Sequence, residues 1–126
     1  QKPFELSKKV YEHSCKVLGE EHPNTLVMLS NLACEYSELG EHQKAFELKK
    51  KVYELSCKVL GEEHPDTLVM LNNLACEYSE LGEHQKALEL KKKVYELSCK
   101  VFGEEHPHTL KVLNNLTHEY DELGEH

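Results

Sequence analysis

The sequence predicts an all-α solenoid, an array of helix pairs stacked along one axis. Three observations predict it. Gly19, Gly61 and Gly103 recur every 42 residues, as do His22-Pro23, His64-Pro65 and His106-Pro107, and Gly40, Gly82 and Gly124. Between these markers the apolar residues fall at helical steps of three and four. The 126 residues make three such periods, 1–42, 43–84 and 85–126. A fixed period in this range means stacked units, each burying its apolar face on the next. That argues for one array and for a binding or scaffolding role.

The elements follow from the middle of the chain. From Asp66 to Leu81 the apolar stripe is Leu68, Leu71, Leu74, Ala75, Tyr78 and Leu81, which predicts a helix of type A. Pro65 suits its first turn, and Asp66 lies near the positive helix N-terminus. Gly82 follows as a left-handed cap. From Gln85 to Phe102 the stripe is Ala87, Leu90, Val94, Leu97 and Val101, with Leu88, Tyr95 and Phe102 beside it. The two lines widen the buried face, as expected for a helix covered on two sides. This predicts a helix of type B that ends at Gly103. The short link Gly82-Glu83-His84 makes A and B antiparallel neighbours. Gln1 aligns with Gln43 and Gln85, so the chain opens on a B helix. Gly124 aligns with Gly40 and Gly82, so it closes after an A helix. The predicted order is B-A-B-A-B-A.

Composition narrows the function classes. The net charge of −8 argues against nucleic acid or an anionic membrane surface as partner. No apolar run reaches transmembrane length and no charged-then-apolar stretch opens at Gln1, so neither a transmembrane nor a signal segment is expected in these residues. The start without Met and the stop at a repeat boundary suggest a piece of a longer array. Five cysteines, Cys15, Cys34, Cys57, Cys76 and Cys99, are an awkward count for a disulfide framework. They also repeat in register, at a helix spacing of roughly 8–10 Å, beyond the ~7 Å a bridge allows. Free thiols packed as small hydrophobes are expected, and with them a reducing, cytoplasmic compartment.

The run Gly61-Glu62-Glu63-His64-Pro65-Asp66-Thr67, then Leu71-Asn72-Asn73-Leu74-Ala75, Tyr78, Leu81-Gly82 and Ala87, resembles the tetratricopeptide repeat. That motif is usually 34 residues long. The 42-residue form with a His-Pro-Asp link resembles the repeats of kinesin light chain and its bacterial and fungal relatives. The resemblance covers the whole chain. It departs at His84, where Tyr is common, at Lys91, commonly aromatic or apolar, and at Val94, commonly Ala. These changes are expected to alter local packing and leave the fold intact. The resemblance implies a right-handed superhelix, a concave groove lined mainly by A helices, peptide binding in that groove, and no cofactor.

On that geometry the groove positions are those off the A-helix stripe. They are Val27, Ser30, Asn31, Cys34, Ser37 and Glu38; Val69, Asn72, Asn73, Cys76, Ser79 and Glu80; and Lys111, Asn114, Asn115, His118, Asp121 and Glu122. Asn31, Asn73 and Asn115 form a ladder. An Asn amide can pair with both groups of an extended backbone. Equally, these residues can bond to a neighbouring helix and order the repeat. The third unit changes most at the groove, to Lys111, His118 and Asp121, which fits either end-specificity or a more polar terminal unit.

Other features admit simpler explanations. Lys49-Lys50-Lys51 and Lys91-Lys92-Lys93, with Lys8-Lys9, fit a solvated outer face balanced by loop glutamates better than a basic stripe. His22, His64 and His106 fall in loops, and His42, His84 and His126 at turns. No metal spacing exists beyond the weak pair His106 and His108. Cysteines, histidines and carboxylates repeat in register, whereas an active site needs one convergent constellation. No enzyme is expected.

The first B helix lacks a preceding A helix, and the last A helix lacks a following B helix. Their apolar faces are complementary, so head-to-tail stacking is expected, tempered by Pro3 and His13 in the first helix. Units one and two differ only at Pro3/Ala45, Ser7/Lys49, His13/Leu55, Asn24/Asp66 and Ser30/Asn72. Such similarity also fits a structural fragment with no dedicated ligand.

Overall fold

The computed structural model describes residues 2–124, with side chains from residue 5 onward. The expected turn at His126 and the effect of the Pro3 side chain lie outside that range. Six helices and no strand occur among the described residues. They are α1 (Lys2–Leu18), α2 (Pro23–Glu38), α3 (His42–Leu60), α4 (Pro65–Glu80), α5 (His84–Phe102) and α6 (Pro107–Glu122). The order is B-A-B-A-B-A, and the middle pair starts and stops within a residue of expectation. Each helix packs chiefly on the one before it and the one after it, which is the solenoid arrangement. No described helix is long and apolar enough to cross a membrane.

Helix starts are set by a device the sequence reading missed. His22, His64 and His106 are N-caps and not loop residues. His64 sits in extended backbone, and its ring Nδ1 accepts the Asp66 backbone N–H at 3.0 Å. The reason lies in the next residue. Pro65 has no N–H, so the first orphan donor of the helix is two residues past the cap, within reach of an imidazole. Helix ends are set by glycine. Gly61 caps α3 at φ 93°, with nothing within 4 Å of the place a Cβ would occupy. Backbone angle, not space, selects glycine there.

The core is a line of small clusters bridging successive units. Leu29, Val52 and Met70 join α2, α3 and α4; Leu71, Val94 and Val112 join α4, α5 and α6. The buried Thr25, Thr67 and Thr109 hydroxyls donate to the carbonyls of Ser14, Ser56 and Ser98, tying each A helix to the preceding B helix. The terminal helices break the pattern. Val10 is 45% exposed against 1% for Val52 and 0% for Val94. Leu110 is 49% exposed against 0% for Leu68, and Leu113 is 37% exposed against 1% for Leu71. The same apolar positions that seal the interior lie bare at both ends.

Candidate interaction groove

On α4 the residues Asp66, Val69, Asn73, Cys76 and Glu80 follow steps of three and four, so they form one stripe. On α2 the matching stripe is Val27, Asn31, Cys34 and Glu38. The two stripes face each other. Val27, Ser30, Asn31 and Cys34 of α2 and Asp66, Val69, Met70 and Asn73 of α4 line one open pocket of ≈ 270 Å³. Val27 and Val69 are 42% and 43% exposed although they lie in the interior of the array. Their exposure is a property of this face and not of a chain end.

The other candidates divide. Glu38, Glu80, Lys111, Asn114, His118 and Glu122 are exposed; Cys34, Asn72, Cys76 and Asn115 are half-buried. None of Asn72, Asn114, Glu38, Glu80 and Lys111 lines that pocket. His118 Nε2 stands 3.4 Å from Glu122, one turn along α6. The asparagine ladder makes no bond that orders the repeat. Hydrogen bonds within the described residues involve no side chain of Asn31, Asn73 or Asn115. Asn72 Oδ1 is sealed from solvent without a protein partner. Burial pushes the Cys76 thiol up, against the pull of Lys91 and Lys49, so it is a poor nucleophile. All five cysteines are half-buried free thiols.

Behind the groove lies an ionic device at each interior joint from a B helix to the following A helix. The Glu77 side chain on α4 is fully buried, and Lys49 of α3 donates to its Oε1 at 2.9 Å. His42, at the start of α3, approaches its Oε2 at 2.8 Å. A carboxylate only accepts, so the His42 Nδ1 carries the proton. Ser37 Oγ of α2 stands 3.3 Å from the same nitrogen. The next joint repeats this set: Lys91 at 2.9 Å and His84 at 2.6 Å from buried Glu119, with Ser79 at 3.3 Å from His84. Burial pushes the Glu77 carboxyl up, but the hydrogen bonds from Lys49 and His42 and the lysine charge outweigh it. The net position is below the usual carboxylate range, and Glu119 behaves alike. At the first joint Ser7 replaces the lysine and donates to Glu35 Oε2 at 2.5 Å. Glu35 is only half-buried there.

This corrects the reading of the lysine triplets as one solvated face. Lys91 turns inward, Lys92 lies 5.5 Å from the centre of the Tyr120 ring, and Lys93 pairs with Glu62 at 3.3 Å. Lys49 likewise turns inward, whereas Lys51 pairs with Glu20 at 3.0 Å. The expected balance by loop glutamates therefore holds for the outer lysines. A signal for the inner ones was present. His84 and Lys91 both depart from the common repeat and lie seven residues apart, on one helix face. Their partner Glu119 interrupts an apolar stripe on the next helix.

Among the described residues no group of three or more His, Cys, Asp or Glu side chains is arranged to hold a metal. His106 and His108 pack on the Phe102 ring, at 4.7 and 4.9 Å between centroids. The His106 Nδ1 is already occupied by the His108 backbone N–H.

Two tetratricopeptide-repeat family models match the chain, at residues 47–100 and 25–66. Among solved structures, a candidate kinesin light chain of Podosopora anserina with nearly identical TPR-like repeats superposes with a TM-score of 0.90 at 34% identity. A point variant of that protein gives 0.89 at 34% identity. The match covers 99% of this chain and 59% of that one. BtubC (BKLC) from P. vanneervenii gives 0.83 at 23% identity over 95% of this chain and 49% of that one, a likeness of fold. No curated protein sequence matches. Repeats of this kind are in general non-catalytic interaction scaffolds that bind protein partners. The chain belongs to the tetratricopeptide-repeat family, with repeats like those of kinesin light chain.

Proposed function

We propose that the chain is a non-enzymatic interaction module, one array of three 42-residue units, that holds a peptide segment along the face of α2, α4 and α6. The observation that carries this reading is the row of Asn31, Asn73 and Asn115 amides with no partner in the protein, beside the exposed Val27 and Val69. Groups that could pair with each other or with the backbone, and do not, suit a visiting backbone. Exposed residues outside the pocket, Asn114, Lys111, His118 and the glutamates, would tune preference. The acidic balance favours protein over nucleic acid or membrane, and the free thiols favour a reducing cytoplasmic compartment. The test is selection from a peptide library, followed by titration of the Asn31→Ala/Asn73→Ala variant. Two hydrogen bonds at about 1 kcal/mol each predict a loss of roughly thirtyfold. Unchanged affinity in that variant refutes the groove.

A second reading has its own support in the bare ends. Val10 of α1 and Leu110 and Leu113 of α6 occupy positions that interior units bury, and exposed Leu6 and Val17 occupy positions that they half-bury. The interior contact of α4 with α5 is the template for α6 of one copy on α1 of the next. Such a contact is head-to-tail and heterologous, so it forms open chains or rings and not a two-fold dimer. Sedimentation equilibrium tests it: mass should climb with concentration without a plateau, and Leu110→Lys/Leu113→Lys should abolish the climb. A monomer mass independent of dilution up to millimolar protein refutes it.

A further inference from the structure

We propose that the groove selects a cationic segment, one with an apolar side chain flanked by lysine or arginine. This rests on the groove reading above and adds the chemistry of its occupant. The floor between the two interior A helices is apolar, formed by Val27, Val69 and Met70. The borders are acidic. Asp66 lines the pocket at the N-terminal end of α4. Glu38 and Glu80 continue the two stripes at the other end, both exposed and neither in an ion pair. The glutamates of the links from B to A helices behave differently. Glu20, Glu21, Glu62 and Glu63 each meet a lysine of the following unit. Lysines thus answer these loop glutamates and leave Asp66, Glu38 and Glu80 without a cation.

An extended segment with side chains alternating between two faces fits this layout. One apolar side chain enters between Val27 and Val69. Its backbone meets the Asn31 and Asn73 amides. The basic side chains on either flank reach Asp66 on one border and Glu38 or Glu80 on the other. An acidic segment would meet like charge at both borders, with repulsion in place of pairing. The third unit sets the direction. Lys111 stands where Val27 and Val69 stand, so it closes the apolar floor and repels a cation at that end.

The experiment uses three labelled heptapeptides in fluorescence anisotropy: alternating Lys-Leu, Glu-Leu and Lys-Ser. The Lys-Leu peptide should bind at least tenfold tighter than either of the others. The groove variant Asp66→Asn/Glu80→Gln should weaken it about tenfold, and the convex variant Glu54→Gln/Glu96→Gln should change it less than twofold. Val69→Lys places in unit two the residue unit three already carries, so it keeps the fold and should abolish binding. Equal affinity for Lys-Leu and Glu-Leu overturns the charge proposal and leaves the groove reading standing. Equal weakening by the groove and convex variants reveals attraction to the net charge alone and also overturns it. Absence of binding by every peptide, together with failure of the library selection, overturns both.

Discussion

Replacing Lys49 by Met removes the cation from a carboxylate that has no access to water. Glu77 is fully buried, and its two oxygens are held by Lys49 at 2.9 Å and His42 at 2.8 Å. Breaking one side of a buried pair typically costs about 3–5 kcal/mol, because the remaining charge stays desolvated. Equilibrium urea unfolding followed by circular dichroism reads the effect. With a slope near 2 kcal/mol/M the midpoint should fall by roughly 1.5–2.5 M. The companion variant Lys49→Met/Glu77→Met removes both charges and fills similar volume. It should lie within about 1 kcal/mol of the parent protein, or above it. Lys49→Ser should cost less than Lys49→Met, because the first joint already tolerates Ser7 against a half-hydrated Glu35. A Lys49→Met cost below about 1 kcal/mol, or a double variant as poor as the single one, refutes the reasoning about the desolvated charge.

The same geometry fixes the pH response. Glu77 and Glu119 lie below the usual carboxylate range when folded, so the unfolded chain binds more protons as acid is added. Their stabilisation is present above the unfolded carboxylate range and is lost as pH falls through the folded values. Melting temperature should therefore drop on acidification below about pH 4.5, and less so for a Lys49→Met/Glu77→Met, Lys91→Met/Glu119→Met protein. His64→Ala removes the acceptor for the Asp66 N–H and should cost ~0.5–2 kcal/mol in urea unfolding, with His64→Asn restoring most of it. Gly61→Ala should cost about 1–2 kcal/mol through its positive φ alone, since the added methyl meets open space.

Much of the fold was legible because each repeat carries its own punctuation. Pro65 and Gly82 bracket α4, and the stripe from Leu68 to Tyr78 sets its inward face. The groove stripe was legible as the complement of that face. The histidine caps were not, because imidazole is an unusual N-cap and becomes one here only because proline withholds the nearer N–H. The ionic joints were hidden for a different reason. Lys49 and Glu77 are 28 residues apart and belong to different helices, whereas the helical period describes each helix alone. A lysine that opens a run of three reads as surface until the carboxylate on the next helix is placed. The bare ends were legible directly, since the register starts on B and stops on A.

The joints also bear on how such an array changes in length. Lysine and glutamate come from one 42-residue period, and their histidine closes the period before it. Duplicating or deleting a whole 42-residue block in register therefore returns every buried carboxylate to a cation. A break anywhere else strands a charge in the interior. Ser7 marks a block whose Glu35 would lose its water without gaining a cation if it were enclosed, so that block is not interchangeable with the other two.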